Sequence, residues 1–204
     1  MQSHTITPVH TPVPPRREAI LNVATRLFSE HGMQAVSTRQ IAAAVGISQP
    51  SLYAHFPTKQ ALVSEVCVRA FQGLADRMQN ISTDLAGDDR LRAMGHAYLE
   101  FGLNEPDAYR IAFMLDEPKR AGVEFPGPAL GAGIACYTHH HRAIAEERGA
   151  GLSDHEVDVL AQSIWACLHG LVSLMIAKPE FPWVDRQELI DRHIDWILAA
   201  SKLG

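Results

Sequence analysis

The chain has 204 residues, of which 47% are hydrophobic and 20% charged, a balance that excludes a disordered chain and leaves enough apolar mass for a real core. The formal net charge of −5 argues at first against a nucleic-acid partner. The charge is unevenly spread: in residues 1–66 Arg16, Arg17, Arg26, Arg39 and Lys59 outnumber Glu18, Glu30 and Glu65, while the remainder is acidic, the pattern of a small basic module on an acidic body.

Residues 1–15 carry Pro8, Pro12, Pro14 and Pro15 and few large apolar groups, so a disordered arm is expected there. The arm has no basic start followed by an apolar run, which argues against a secretory signal. From Arg16 onward the period is helical. Ile20, Val23, Ala24, Leu27 and Phe28 share one face of a first helix that stops at Gly32. Ser37-Thr38-Arg39-Gln40 is a capping box that opens a second, short helix, with Ile41 and Val45 facing inward and Gly46 as its end. Ser48 can cap a third short helix containing Pro50, Leu52 and Tyr53, and Pro57 interrupts it. A long fourth helix follows, with Leu62, Val66, Phe71, Leu74, Met78 and Ile81 as its apolar positions.

Further helices are expected at about 88–104, 106–116, 128–148, 153–178 and 185–202, the last two opened by Ser153-Asp154-His155-Glu156 and Asp185-Arg186-Gln187-Glu188. The segment 116–127, with Pro118, Gly122, Pro126 and Gly127, reads as the main loop. The longest mostly apolar stretch, 163–177, contains His169 and reads as too short for a bilayer, so no membrane partner is expected. No alternating run bounded by hairpin turns occurs, and the expected fold is all-α.

Two short helices meeting around Gly46, with Ala42 at the crossing and Ile41, Val45, Ile47 and Leu52 holding the angle, have the form of a helix-turn-helix. The outward face of the third helix offers Ser48, Gln49, Ser51, Tyr53 and His55, hydrogen-bonding tips suited to a major groove. Thr38, Arg39 and Lys59 stand at helix N-termini, where backbone N–H groups favour phosphate. Residues 16–66, and most closely LFSEHG and STRQIAAAVGISQPSLYAHFPTKQALV, resemble the DNA-binding domain of the TetR family of bacterial transcription regulators. The resemblance implies a helix-turn-helix domain over 16–66 and a ligand-binding and dimerisation domain over 67–204. It also implies a homodimer on double-stranded DNA with a palindromic operator, and repression relieved by a small-molecule effector.

Carried onto this sequence, the resemblance makes Thr38, Arg39, Tyr53, His55 and Lys59 backbone-positioning contacts. Ser48, Gln49, Pro50 and Ser51 become candidates for reading bases, Gln49 by bidentate contact to adenine and Pro50 at a thymine methyl. Tyr53 could equally pack against the first helix.

The pattern Tyr98-Leu99-Glu100-Phe101, Pro106-Asp107-Ala108-Tyr109-Arg110 and Trp165-x-x-x-His169-Gly170 resembles the C-terminal domain type named for its Trp-His-Gly signature. Trp165 and His169 share a helix face, and Gly170 would let a helix or ligand approach. A pocket between helices could use Met94, Tyr98, Phe101, Phe113, Met114, Trp165, His169 and Met175, although each serves as well in a plain core. The apolar stripes Val157, Leu160, Ile164, Leu168, Leu171, Val172 and Leu189, Ile190, Ile194, Ile197, Leu198 are broad enough to suggest a four-helix interface between two copies.

Cys136, His139 and His140 stand at metal-compatible spacing, but the run from His139 to His141 fans around its helix, so a solvated histidine face is expected and no metal or cofactor is assigned. The three cysteines, Cys67, Cys136 and Cys167, are too few and too scattered for a disulfide framework or a Cys-x-x-Cys site. They read as small buried hydrophobes in a reduced, cytoplasmic protein. No His-Glu-x-x-His, Gly-x-Ser-x-Gly or phosphate-binding glycine loop points to an enzyme. The alternatives are a metal- or redox-sensing repressor and a helical small-molecule-binding protein without DNA function.

Overall fold

The computed structural model describes residues 15–114 and 127–202; the proline-rich arm and most of the expected 116–127 loop lie outside them. The described residues form α1 (Arg16–His31), α2 (Thr38–Val45), α3 (Gln49–His55), α4 (Lys59–Gln79), α5 (Gly87–Asn104), α6 (Pro106–Tyr109), α7 (Gly127–Arg148), α8 (Asp154–Ala177) and α9 (Arg186–Ala200). They contain no strand. The expected helix at 106–116 is different in kind: α6 is a single turn that widens into a π-helical segment, Arg110–Met114.

Helix ends follow side-chain chemistry. Ser37 and Gln40 close the capping box on α2, with the Gln40 N–H to Ser37 Oγ at 3.2 Å and the Ser37 N–H to Gln40 Oε1 at 2.8 Å. Gly46 takes φ 75°, the left-handed conformation that lets the chain turn directly into α3. Ser153 and Glu156 repeat the box on α8, and Asp185 caps α9 through the Glu188 N–H. Thr58, behind Pro57, caps α4 by accepting from the Ala61 N–H at 3.0 Å.

Two apolar clusters divide the molecule. Ile20, Leu21, Ala24 and Phe28 of α1 pack with Ile41, Ala42, Leu52, Phe56, Leu62, Val66 and Cys67 to form the core of the three-helix head. Phe71, Leu74 and Met78, farther along the same α4, join buried residues of α5, α7, α8 and α9 in the core of the body. The helix α4 thus runs unbroken from one core to the other. Ile111 of the π-helical segment and Ala129 of α7 are buried with the head cluster, so the body reaches into the head's core.

At Gly102 of α5 other side chains come close: a Cβ would stand 2.4 Å from Val172 Cγ1 and 2.9 Å from Tyr109 Cδ2. At Gly170 a Cβ would meet nothing within 4 Å among the described residues, so no described helix of this chain takes up the approach that glycine allows.

Two expectations need correction. The whole of α8, at 24 residues with a mean hydropathy of 1.7 in its most apolar window, is long and apolar enough to cross a membrane by length and composition, although 33% of that window is buried inside the protein. The stripes expected to meet a second copy instead face inward. Val157, Ile164, Leu168, Leu171, Val172, Ile190, Ile194 and Leu198 are buried within one chain, and Leu160, Leu189 and Ile197 pack partly buried against them. The width of those stripes reflects helices packed on several neighbours within one body. The exposed large apolar side chains of α8 and α9 are Val159, Trp165, Leu174 and Trp196.

Candidate nucleic-acid interface and apolar cavity

The outer face of α2 and α3 is organised around one hydroxyl. Thr38 is buried, and its Oγ1 accepts from Gln49 Nε2 at 3.0 Å and lies 3.1 Å from the Tyr53 hydroxyl. Thr38 therefore ties Gln49 and Tyr53 together across the turn between the two helices. Gln49 keeps its Oε1 and one amide proton, the donor and acceptor that a bidentate adenine contact needs. Tyr53 is 40% exposed and anchored at its tip, so packing and display are combined in one side chain.

Ser48 spends one acceptor site on the Ser51 N–H at 3.2 Å. Arg39, Ser48, Pro50 and His55 are exposed, and Ser51 is half-buried. Lys59, at the first turn of α4, donates to the Gln34 carbonyl at 3.3 Å, and partial burial lowers its pKa below the ordinary lysine value. The Arg17 guanidinium stacks over Phe56, 4.9 Å from the ring centre, fixing the exit of α3 against α1.

In the body a cavity of about 410 Å³ lies between α4, α5, the π-helical segment, α7 and α8. Phe71, Leu74 and Met78 form one wall, Tyr98 and Phe113 another, and Trp165 and Leu168 a third. The fourth wall is α7, with Ala129, Leu130, Gly133, Ile134, Cys136, Tyr137 and His140. Of the expected pocket residues, Tyr98, Phe113 and Trp165 line this space. Met94 borders a void of about 20 Å³ among α4, α5, α7, α8 and α9 and a separate cavity of about 220 Å³ beside Arg90 and His139, Phe101 is fully buried core, Met114 is exposed, and Met175 packs against the core.

His169 stands one layer behind the wall, in a chain of neutral hydrogen bonds. The Trp165 indole N–H donates to Tyr98 Oη at 3.1 Å, Tyr98 and Tyr109 hydroxyls are 2.9 Å apart, Tyr109 Oη is 2.7 Å from His169 Nδ1, and Ser173 Oγ is 3.0 Å from His169 Nε2. Burial pushes the Tyr98 phenol up to about 12, raises Tyr109 further, and lowers His169 below the ordinary imidazole value. Every member is uncharged at neutral pH.

The histidine run does not form the solvated face expected of it. His140 is buried and lines the cavity, its Nε2 3.0 Å from the Ala161 carbonyl oxygen, and burial lowers its pKa. His141 turns outward to Asp158 at 2.8 Å. Among the described residues no three His, Cys, Asp or Glu side chains gather into a metal-binding group. Cys67 and Cys136 are buried, with burial raising each thiol to about 11, whereas Cys167 is exposed, against the expectation for it.

The α7 wall escaped sequence reading because it alternates small residues with apolar ones. Leu130, Ile134 and Tyr137 at i, i+4 and i+7 were the available signal.

The π-helical segment touches both regions. Ile111 lines the cavity and is buried in the head core; Asp107 of α6 accepts from the Ser29 hydroxyl of α1 at 2.7 Å; and Arg110 reaches Asp107 at 3.3 Å and the Ile176 carbonyl of α8 at 3.4 Å.

Residues 20–66 match the family model for bacterial regulatory proteins of the tetR family, and residues 91–197 match that for the tetracyclin repressor-like C-terminal domain. The HTH-type transcriptional regulator YobS of Bacillus subtilis strain 168 is 28% identical over 107 residues, 52% of this chain and 56% of YobS, so the chain spans about half the length of that relative. The nucleoid occlusion factor SlmA of Salmonella newport strain SL254 is 34% identical over 195 residues, covering 92% of this chain and 94% of SlmA. A tetR-family regulatory protein from Rhodococcus RHA1 has the same fold, with a TM-score of 0.73 at 18% identity over 94% of this chain and 98% of that one. A capped helix-turn-helix on one model, a helical body on the other and a near full-length relative converge: the chain belongs to the TetR family of DNA-binding transcription regulators.

Proposed function

We propose that the chain is a cytoplasmic, homodimeric repressor that occupies a palindromic operator and leaves it when a small apolar molecule enters the body cavity. It has no catalytic role in this reading. The observation that carries it is the double membership of Ile111, which belongs to the cavity wall and to the core of the DNA-binding head. A molecule that displaces the π-helical segment moves a side chain on which the head is packed. Such coupling amounts to about 1–3 kcal/mol in regulators of this general kind.

On the DNA, Arg39, Tyr53, His55 and Lys59 hold the phosphate register, Ser48, Gln49, Pro50 and Ser51 face the base edges, and Thr38 positions Gln49 and Tyr53 from beneath. The head occupies 16–66 and the body 67–204. The two copies meet through the exposed faces of α8 and α9, where Val159, Leu174 and Trp196 are presented around the small Ala166 and Gly170. Half-sites then fall about one helical turn, roughly 34–36 Å, apart or a multiple of it.

The test is a salt-dependent gel shift on the DNA upstream of the protein's own coding sequence, with sedimentation of the free protein. Specific binding by a dimer supports the reading; a monomer at micromolar concentration, or equal affinity for scrambled DNA, overturns it. Trp165→Leu is expected to alter release from the operator more than operator affinity without effector. Unchanged release in that variant removes Trp165 from the cavity's working wall.

The near full-length similarity to a nucleoid occlusion factor favours a second reading, in which DNA occupancy without any effector is the function. Occupancy of many dispersed genomic sites, unaltered by every apolar compound, is its signature.

A further inference from the structure

Thr38, Gln49 and Tyr53 form a hydrogen-bonded triad whose direction decides what Gln49 shows to a base, an inference that rests on the base-reading role proposed above. Thr38 is the first residue of α2, Gln49 the first of α3, and Tyr53 stands one turn after Gln49 on the same face. Thr38 is buried, and among the described residues its Oγ1 has two partners, Gln49 Nε2 at 3.0 Å and the Tyr53 hydroxyl at 3.1 Å. A threonine hydroxyl has one proton and two lone pairs, so Thr38 cannot serve its two neighbours independently.

Two arrangements use the Thr38 proton within the triad. In the first, the Gln49 amide N–H donates to Thr38, Thr38 donates to Tyr53, and the Tyr53 proton is left for an outside acceptor. In the second every bond is reversed: Tyr53 donates to Thr38, Thr38 donates to Gln49 Oε1, and Tyr53 turns only lone pairs outward. Phosphate oxygens are acceptors, so only the first arrangement lets Tyr53, which is 40% exposed, bond the DNA backbone. The Gln49 amide stands in the orientation of the first, with Nε2 toward Thr38.

The two arrangements also differ at the base. The first presents Gln49 Oε1 and one N–H, the complement of adenine N6 and N7. The second presents two N–H protons, which suit the paired acceptors O6 and N7 of guanine.

We propose that Thr38 and Tyr53 determine base specificity through their hydroxyls, without bonding the base themselves: the phosphate bond of Tyr53 sets the direction of the triad, and the triad holds the Gln49 amide in the form that takes adenine and rejects guanine. Backbone contact and base choice are thereby one cooperative event.

The experiment uses the full-length protein and the operator found by the gel shift. The half-site position read by Gln49 is the one whose preference Gln49→Ala abolishes, and all four base pairs are compared there. The wild-type protein is expected to favour adenine over guanine about tenfold to hundredfold. Thr38→Val frees the amide. Tyr53→Phe keeps the ring but removes the acceptor of the Thr38 proton, which then turns to Gln49 Oε1. In both variants the adenine preference is expected to shrink about threefold to tenfold, the worth of one hydrogen bond. Thr38→Ser keeps the hydroxyl and is expected to keep the preference. Tyr53→Phe changes no charge, so its salt slope should match the wild type, unlike that of Lys59→Ala.

An adenine preference untouched by Tyr53→Phe or by folded Thr38→Val, or one lost in Thr38→Ser, overturns the inference while the base-reading role of Gln49 stands. A wild-type preference for guanine at that position overturns it as well. If Gln49→Ala flattens no position, the base-reading role falls and the triad with it, while the DNA-binding assignment stands. Should Thr38→Val fail to fold, Tyr53→Phe decides alone, because it removes one oxygen and leaves the ring in place.

Discussion

The head and the body are both helical, yet they solve opposite problems. The head brings a contiguous run of sequence to a surface: every candidate DNA contact lies between Thr38 and Lys59, and their positions follow from three caps and one left-handed glycine. The body encloses a space, and its walls come from residues as far apart as Phe71 and Leu168. A displayed surface is set by local rules of helix start and stop, whereas a cavity is set by what distant helices fail to fill. The two regions consequently respond to mutation in different ways, and the contrast can be tested by variants placed in each.

The largest effect is expected from Leu52→Ala in the head core. Leu52 is fully buried, and its truncation is expected to destabilise by about 2–5 kcal/mol. Operator binding should be lost in gel shifts while the body keeps its own thermal transition. Joint loss of both would show that the cores fold as one unit through Ile111 and Ala129.

Gly102→Ala is the counterpart in the body. The added Cβ collides with Val172 and Tyr109, and overpacking of this kind is destabilising by about 1–3 kcal/mol. Thermal denaturation should show the lower Tm, with the operator affinity of the protein that remains folded little changed.

Within the head, Gln49→Ala is expected to lose about 1–3 kcal/mol at one base position per half-site and to relax the preference there. Lys59→Ala should weaken all DNA similarly and reduce the salt slope by about one unit. Binding curves on operator and scrambled DNA at several salt concentrations separate the two. Equal losses on both DNAs for Gln49→Ala reject its base-reading role.

The smallest effect concerns pH. His140 and His169 have pKa values held below the ordinary 6.5 by burial, so the unfolded chain binds more protons than the folded one once the pH drops below that value. Their contribution is fully present above pH 6.5 and is lost as the pH falls through the folded values. A Tm profile from pH 7.5 to 5 should decline, and His140→Gln should flatten it. A profile unaffected by that substitution would remove His140 as a source.

The same contrast explains what was legible in the sequence. Capping boxes at Ser37 and Ser153, the stop at Gly46 and the period of α4 are local signals, and the helices fall where these put them. Tyr98, Phe113 and Trp165 were recognisable as pocket residues by type, but nothing local distinguished them from Phe101, which is core, or from Met94, which faces α9. The inward turn of Ile164, Leu168 and Ile194 was misread for a related reason. A broad apolar stripe reports how much surface a helix buries and is silent about whether the neighbour belongs to the same chain. The role of Thr38 as a buried hub could not be seen either, because it depends on Gln49 and Tyr53 converging from the next helix.

The unequal freedom of the cavity walls has a consequence for how such a protein can change its chemical sensitivity. Leu130 and Ile134 on α7 are half exposed or more and belong to neither core cluster, so substitutions there reshape the binding space with little effect elsewhere. Ile111 of the π-helical segment and Ala129, next to Leu130 on α7, answer to a second packing requirement. If the cavity is the effector site proposed above, divergence toward new ligands is channelled to Leu130 and Ile134, while Ile111 and Ala129 stay fixed by the packing of the head whichever molecule binds.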